Sequence, residues 1–119
     1  MRLILREMLE AYADLTVVGE AENSEDAVTK ATQLQPSVVI IDINLPTLNG
    51  IEATKLIRLR NPGTAVIILT AGETRDSEKE LIFAAGATAL LNKADLFESL
   101  RPSIHEAIRH QQASFNNFA

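Results

Sequence analysis

Apolar residues along the chain fall into two patterns, short consecutive runs and longer segments with helical spacing. The runs are Thr16–Val18, Val38–Ile41, Val66–Leu69 and Ala89–Leu91. Because the second and third runs are apolar at consecutive positions, we predict strands buried on both faces, as in a parallel sheet. The segments with helical spacing are Arg2–Tyr12, Ser24–Leu34, Ile51–Arg60, Thr74–Ala85 and about Asp95–Gln112. Strict alternation of helices and strands predicts an α/β fold with helices on both faces of the sheet.

Polar and special residues mark the ends of these elements. Asn23 or Ser24 is expected to cap the second helix, and Gly86 is expected to end the fourth. Pro102 interrupts the last helical segment, so we predict a turn at Asp95–Leu100 and a helix that begins at Pro102. Residues 1–112 then form one domain, and residues 113–119 form a tail or the start of a linker.

Composition narrows the classes of protein. A length of 119 residues suits one domain, and the longest apolar runs are too short to span a membrane. The absence of cysteine excludes disulfides and thiolate chemistry, which fits a cytoplasmic location. A net charge of −5, with four Phe, one Tyr and no Trp, argues against nucleic-acid binding by this domain.

Three chemically complementary side chains follow predicted strands. Asp42 follows Val38–Ile41, Thr70 ends the next strand, and Lys93 follows the last one. Parallel strands end at one edge of a sheet, where α/β proteins bind ligands. A phosphoryl group on the carboxylate could be held by the hydroxyl and the ammonium, and phosphoryl transfer depends mostly on such positioning and charge neutralisation. Individually, each residue could instead be an ordinary turn, strand-end or solvated side chain.

Several stretches resemble response-regulator receiver domains. Asp42–Gly50, DINLPTLNG, resembles the family's D-x-x-M-P-x-M-D-G. Val17–Ala21 with Asn23 resembles the V-V-G-E-A-x-N of the NarL/FixJ subfamily, and Ala85–Ala87 followed by Lys93 matches its A-G-A…K. The resemblance extends over residues 1–112 and is specific in combination.

The resemblance implies a flavodoxin-like, doubly wound parallel sheet of family strand order 2-1-3-4-5. It implies that Asp42 accepts a phosphoryl group from a sensor histidine kinase, with Thr70 as the switch hydroxyl and Lys93 as the site lysine. Asp42 and the backbone carbonyl of Asn44 would be Mg²⁺ ligands. A DNA-binding output domain usually follows such a domain in longer proteins of this subfamily, and no membrane partner is implied.

The sequence also departs from the family pattern. The family opens with a strand that ends in two acidic residues, and alignment at Val17–Glu20 places Met1 after that pair. We therefore expect strand 1 and its Mg²⁺ carboxylates to be absent from this chain, which makes Mg²⁺ binding doubtful. A missing N-terminus, direct pairing of the flanking strands, or a strand supplied by a second chain in a homodimer would each account for it. Leu90 and Ala94 also replace an aromatic residue and a proline that are common in the family.

Two functions follow from this comparison. The first is a non-enzymatic receiver in two-component phosphorelay signalling, which changes a protein-interaction face at about Thr74–Gln112 when Asp42 is phosphorylated. The alternative is a degenerate receiver that acts as a phosphorylation-independent interaction or dimerisation module. A small α/β enzyme is a third, weaker interpretation, since no Gly-rich phosphate loop or hydrolase motif occurs.

Overall fold

A computed structural model describes residues 2–43 and 49–116. It contains five α-helices, three strands and one short 3₁₀ turn among those residues. The helices are α1 (Arg2–Glu10), α2 (Ser24–Leu34), α3 (Gly50–Arg60), α4 (Asp76–Ala84) and α5 (Leu96–Asn116). The strands are β1 (Val38–Asp42), β2 (Ala65–Thr70) and β3 (Ala89–Asn92), and the 3₁₀ turn Lys93–Asp95 follows β3. No helix among the described residues is long and apolar enough to cross a bilayer.

The three strands form one parallel sheet of order β1-β2-β3. In the register of β1 and β2, Val38 lies opposite Ala65 and Asp42 lies opposite Leu69. In the register of β2 and β3, Thr70 lies opposite Asn92. The predicted α/β fold with a parallel sheet is confirmed, and all three strands end on the same edge.

The central strand β2 is buried along its whole length because helices cover both faces of the sheet. Its alternate side chains enter two different cores, as the two-residue period of a strand requires. Val66 and Ile68 pack with residues of α2, α3 and α4, including Ile57 and Ile82. The odd-numbered residues of β2 pack on the other face, mainly against α5. The consecutive apolar run at β2 is therefore explained by burial on both sides.

Polar side chains cap the N-termini of two helices, α2 and α3. The Asn23 side chain accepts a hydrogen bond from the Asp26 amide at 2.9 Å, so Asn23 rather than Ser24 is the N-cap of α2. Asn49 caps α3 in the same way, through the Glu52 amide at 2.9 Å. These caps satisfy amides at the helix start that have no partner within the helix.

The predicted strand at Thr16–Val18 is wrong. These residues form neither helix nor strand, and none has a backbone hydrogen bond to another residue that the structure describes. A strand requires a neighbour for its ladder, and β1 is hydrogen-bonded within the described sheet only to β2. Thr16–Val18 therefore has the apolar, β-branched composition of a strand but lacks backbone pairing with any described residue.

The predicted helix break at Pro102 is also wrong. Pro102 lies inside α5, which runs without interruption from Leu96 to Asn116. A proline there removes the hydrogen bond to the carbonyl four residues earlier. The helix persists because Leu100 and Ile104, buried on either side of Pro102, lie on one face against the sheet, while Pro102 itself is exposed.

Candidate functional site

The carboxyl ends of the three strands bring the three predicted site residues to one edge of the sheet. Asp42 is the last residue of β1 and lies opposite Leu69, the residue before Thr70. Thr70 is the last residue of β2 and lies opposite Asn92, the residue before Lys93. The register alone therefore places the carboxylate, the hydroxyl and the ammonium on consecutive strands.

The carboxylate and the ammonium are in direct contact. Lys93 Nζ forms an ion pair with Asp42 Oδ2 across the end of β2, and both side chains are 26% exposed. Partial burial keeps both groups accessible to a ligand while it limits screening by water. An anion attached to the Asp42 carboxylate would consequently form next to a positive charge.

The Thr70 hydroxyl, on the strand between Asp42 and Lys93, is buried. Thr70 is 6% exposed, and its Oγ1 accepts a hydrogen bond from the Thr74 hydroxyl at 3.4 Å. Thr74 lies just before α4, so this contact connects the end of β2 to the segment that leads into that helix. The role of Thr74 was not predicted, since nothing about a threonine four residues after Thr70 distinguishes it in the sequence.

Asn92 fixes the end of β3 in front of Lys93. Its Oδ1 accepts a hydrogen bond from the Ala94 amide at 3.0 Å, which starts the 3₁₀ turn. Its Nδ2 donates to the Gly72 carbonyl at 2.7 Å, which ties the turn to the loop after β2. Asn92 therefore acts as a positioning residue for Lys93. Its position directly before Lys93 in the sequence is the feature that could have identified it.

Gly50 closes the loop that follows Asp42. Its amide donates to the Ile43 carbonyl at 2.8 Å. A Cβ at position 50 would lie 2.7 Å from Ile43 Cα and 2.8 Å from the Asp42 carbonyl oxygen. Only glycine therefore allows α3 to begin so close to the strand end that carries the carboxylate.

The described residues do not provide a magnesium site. Asn44, predicted to supply a carbonyl ligand, lies outside the described residues. Among the residues that are described, no group of three or more Asp, Glu or His side chains could hold a metal. Mg²⁺ prefers about six oxygen ligands, including one or two carboxylates, and Asp42 already pairs with Lys93. These described donors alone do not fit the ion.

A second charged cluster lies on the α1 side of the sheet. The Arg6 guanidinium pairs with Glu10 at 2.7 Å and also with Glu20, which follows the unpaired Thr16–Val18 segment. Hydrogen bonds to Glu10 and then to Glu20 raise the pKa of Arg6 above its ordinary value. Glu20 is thus held by α1.

The site consists of a carboxylate paired with a lysine and, on the strand between them, a buried hydroxyl, all at the carboxyl ends of parallel strands. An α/β site of this class is suited to holding a phosphoryl group. The family model of the response regulator receiver domain matches residues 1–105, and the chain belongs to this family.

Solved and curated relatives agree with this assignment. The crystal structure of the response regulator domain of Thermotoga maritima CheB superposes with a TM-score of 0.83 at 31% identity, covering 92% of this chain and 88% of that one. The curated protein-glutamate methylesterase/protein-glutamine glutaminase of Thermotoga maritima is 32% identical over 92% of this chain and 33% of its own length. The uncharacterized transcriptional regulatory protein YxjL of Bacillus subtilis is 38% identical over 87% of this chain and 47% of its own length. The chain thus spans between a third and about half of these curated relatives.

Proposed function

We propose that this receiver domain accepts a phosphoryl group on Asp42 and thereby changes the surface formed by α4, β3 and α5. The observation that carries the proposal is the ion pair between Asp42 and Lys93, with the Thr70 hydroxyl on the strand between them. This arrangement supplies a nucleophile, a cation and a hydrogen-bond donor at one strand edge.

The reaction balances with a phosphorylated histidine as donor. An oxygen of the Asp42 carboxylate forms the new P–O bond, the P–N bond to the imidazole breaks, and the released imidazole nitrogen takes a proton from solvent. Lys93 then neutralises charge on the phosphoryl oxygens, and the Thr70 hydroxyl, which accepts from Thr74, donates to one of them. The sensor histidine kinase of a two-component system is the proposed donor.

The proposed output surface carries exposed apolar side chains. Leu81 and Phe83 on α4 are 61% and 46% exposed, and Phe97 near the start of α5 is 80% exposed. Exposed aromatic residues favour protein binding over simple solvation. Movement of Thr70 toward a phosphoryl group would act on this surface through Thr74, which adjoins α4.

We also propose which kind of output domain this receiver acts with in a longer protein. The stretch Val17–Ala21 with Asn23 supports a NarL/FixJ-like receiver. Similarity to an uncharacterized transcriptional regulatory protein supports a DNA-binding output domain in a longer protein. Similarity to a methylesterase, of which the chain covers about a third, supports a receiver that works with different output domains in different proteins.

The test is phosphorylation by phosphoramidate, a small donor with a P–N bond, followed by intact-protein mass spectrometry with and without Mg²⁺. We expect one base-labile phosphoryl adduct in the native chain and none in Asp42→Asn. Asp76→Asn is the matched control because Asp76 is an exposed aspartate in the first turn of α4. Lys93→Gln should lower the yield, since the neutralising cation is lost.

The second candidate function is a phosphorylation-independent interaction module. It is favoured by the lack of a carboxylate cluster that could hold Mg²⁺ among the described residues. A folded native chain that takes no adduct at any Mg²⁺ concentration would contradict the first proposal and support this one. An adduct retained in Asp42→Asn would remove Asp42 from the role.

A further inference from the structure

Asn49 and Gly50 form an Asn-Gly pair at the start of α3. The side-chain amide of an asparagine can be attacked at Cγ by the backbone nitrogen of the next residue, which closes a five-membered ring. Glycine in the second position favours this reaction, because it has no side chain to obstruct the approach and its backbone rotates freely. Asn49 is exposed, so water and base have access to its side chain.

Hydrogen bonds hold both groups that would react. The Asn49 side-chain oxygen accepts from the Glu52 amide at 2.9 Å. The Gly50 amide, whose nitrogen would be the nucleophile, donates to the Ile43 carbonyl at 2.8 Å. The backbone of Asn49 is extended, with φ −74° and ψ 167°. Ring closure requires rotation about the ψ bond, which would carry the Gly50 nitrogen away from Ile43.

Close packing opposes this rotation as long as α3 stays in place. Gly50 is buried, and a Cβ on it would lie 2.7 Å from Ile43 Cα and 2.8 Å from the Asp42 carbonyl oxygen. The first turn of α3 therefore lies directly against the end of β1. The rotation requires that this turn separate from the strand. Such local openings occur in native proteins at a lower free energy than global unfolding.

We propose that Asn49 is a deamidation site whose reaction is blocked in the closed fold and proceeds when the first turn of α3 separates from the end of β1. The Gly50 nitrogen loses its proton to base and forms a bond to Asn49 Cγ. The bond from Cγ to Nδ2 breaks, and ammonia leaves. Water then opens the cyclic imide at one of its two carbonyl groups, which gives aspartate or isoaspartate at position 49. The proposal does not depend on phosphorylation of Asp42.

The two products affect the fold differently. Aspartate keeps a side-chain oxygen that can cap the Glu52 amide, and its negative charge is favourable at the start of a helix. Isoaspartate instead adds a methylene group to the main chain directly before Gly50. The packing of Gly50 against Ile43 leaves no space for an added carbon atom. The isoaspartate product therefore loses the contact between the start of α3 and the end of β1.

Incubation of the intact chain at neutral pH, followed by tryptic digestion and tandem mass spectrometry, measures the deamidation rate at each asparagine. We expect Asn49 to react more than about tenfold faster in guanidinium chloride than in the folded chain, because the reaction of the folded chain requires opening. Asn23 is the internal reference, since it also caps a helix but precedes a serine. In the denatured chain Asn49 should react before Asn23, because the serine side chain obstructs ring closure.

Two variants at position 52 test the hydrogen bond to the Asn49 side chain. Glu52→Pro removes the amide donor in the first turn of α3, where proline is tolerated, and Glu52→Ala removes the same carboxylate but keeps the amide. We expect Glu52→Pro to accelerate deamidation of Asn49 in the folded chain by more than about tenfold and Glu52→Ala to leave the rate unchanged. Circular dichroism verifies that both are folded. In the native chain, hydrogen exchange of the Gly50 amide is a second measurement, and it should accelerate with denaturant in parallel with deamidation.

The products provide a further test, because Asn49→Asp reproduces one of them. This variant should keep the native Tm, whereas the isoaspartyl chain, separated by chromatography, should have a lower Tm and faster exchange at Gly50. Equal deamidation rates in the folded and denatured chains would overturn the proposed block by the fold. Failure of Asn49 to react in either state would remove it as a modification site. An isoaspartyl chain as stable as Asn49→Asp would show that the start of α3 tolerates the longer main chain, contrary to the proposal.

Discussion

Replacement of Pro102 by alanine should stabilise the protein. Pro102 is the seventh residue of α5, so the carbonyl of Glu98, four residues earlier, receives no amide from it. The pyrrolidine ring is exposed, so its removal costs little packing. Alanine restores the missing donor and has the highest helix propensity of all residues.

The magnitude follows from the position of the proline in the helix. In a helix interior, proline is about 3 kcal/mol less favourable than alanine. Glu98 is exposed, so water can satisfy its carbonyl and lower the cost of the missing bond. We therefore expect a gain of about 2 kcal/mol in the free energy of unfolding, which for a domain of this size raises Tm by about 8 °C.

Thermal and urea denaturation followed by circular dichroism at 222 nm would measure the change. Glu106→Ala is the control, because Glu106 is an exposed α5 residue one turn further along, and its replacement should change stability by less than about 0.5 kcal/mol. If α5 instead began at Pro102, the proline would occupy a favourable first position and alanine would bring no gain. An unchanged or lowered Tm in Pro102→Ala would therefore refute the continuous helix.

Two other substitutions test local features of the fold. Gly50→Ala should lower the free energy of unfolding in urea by about 1–3 kcal/mol, because its Cβ would lie 2.7 Å from Ile43 Cα. Gly63→Ala is the control and should be nearly neutral, because a Cβ there would meet nothing within 4 Å. Asp14→Asn should lower Tm at pH 7 and by less at an acidic pH. The hydrogen bond from Arg101, at 3.1 Å, lowers the pKa of Asp14, so its contribution is present above the unfolded pKa and is lost as pH falls through the folded value. An equal loss of Tm at both pH values would contradict this account.

The predictable part of the fold consists of elements whose local pattern and tertiary environment agree. The apolar run at β2 predicted burial on both faces, and the structure places its alternate residues in two cores. The N-cap of α2 was predicted as Asn23 or Ser24 from residue type and position, because the chemistry of an N-cap is local, and the structure selects Asn23. A sequence pattern predicts secondary structure correctly when the local preference of the residues agrees with their environment in the folded protein.

The two wrong predictions arise where tertiary contacts override a local preference. Pro102 is unfavourable in a helix, but Leu100 and Ile104 lie on a buried face that holds both sides of it against the sheet. Thr16–Val18 has the composition of a strand, but no described strand lies beside it. Neither the stabilising face nor the missing neighbour can be recognised from a short window of sequence.

For the site, the ends of predicted strands were sufficient to bring Asp42, Thr70 and Lys93 together. Parallel strands in register must end at one edge, so three correct strand ends place three side chains without further information. The supporting contacts of Thr74 and Asn92 could not be predicted in the same way. They depend on loop geometry after β2 and β3, which a repeating pattern does not encode.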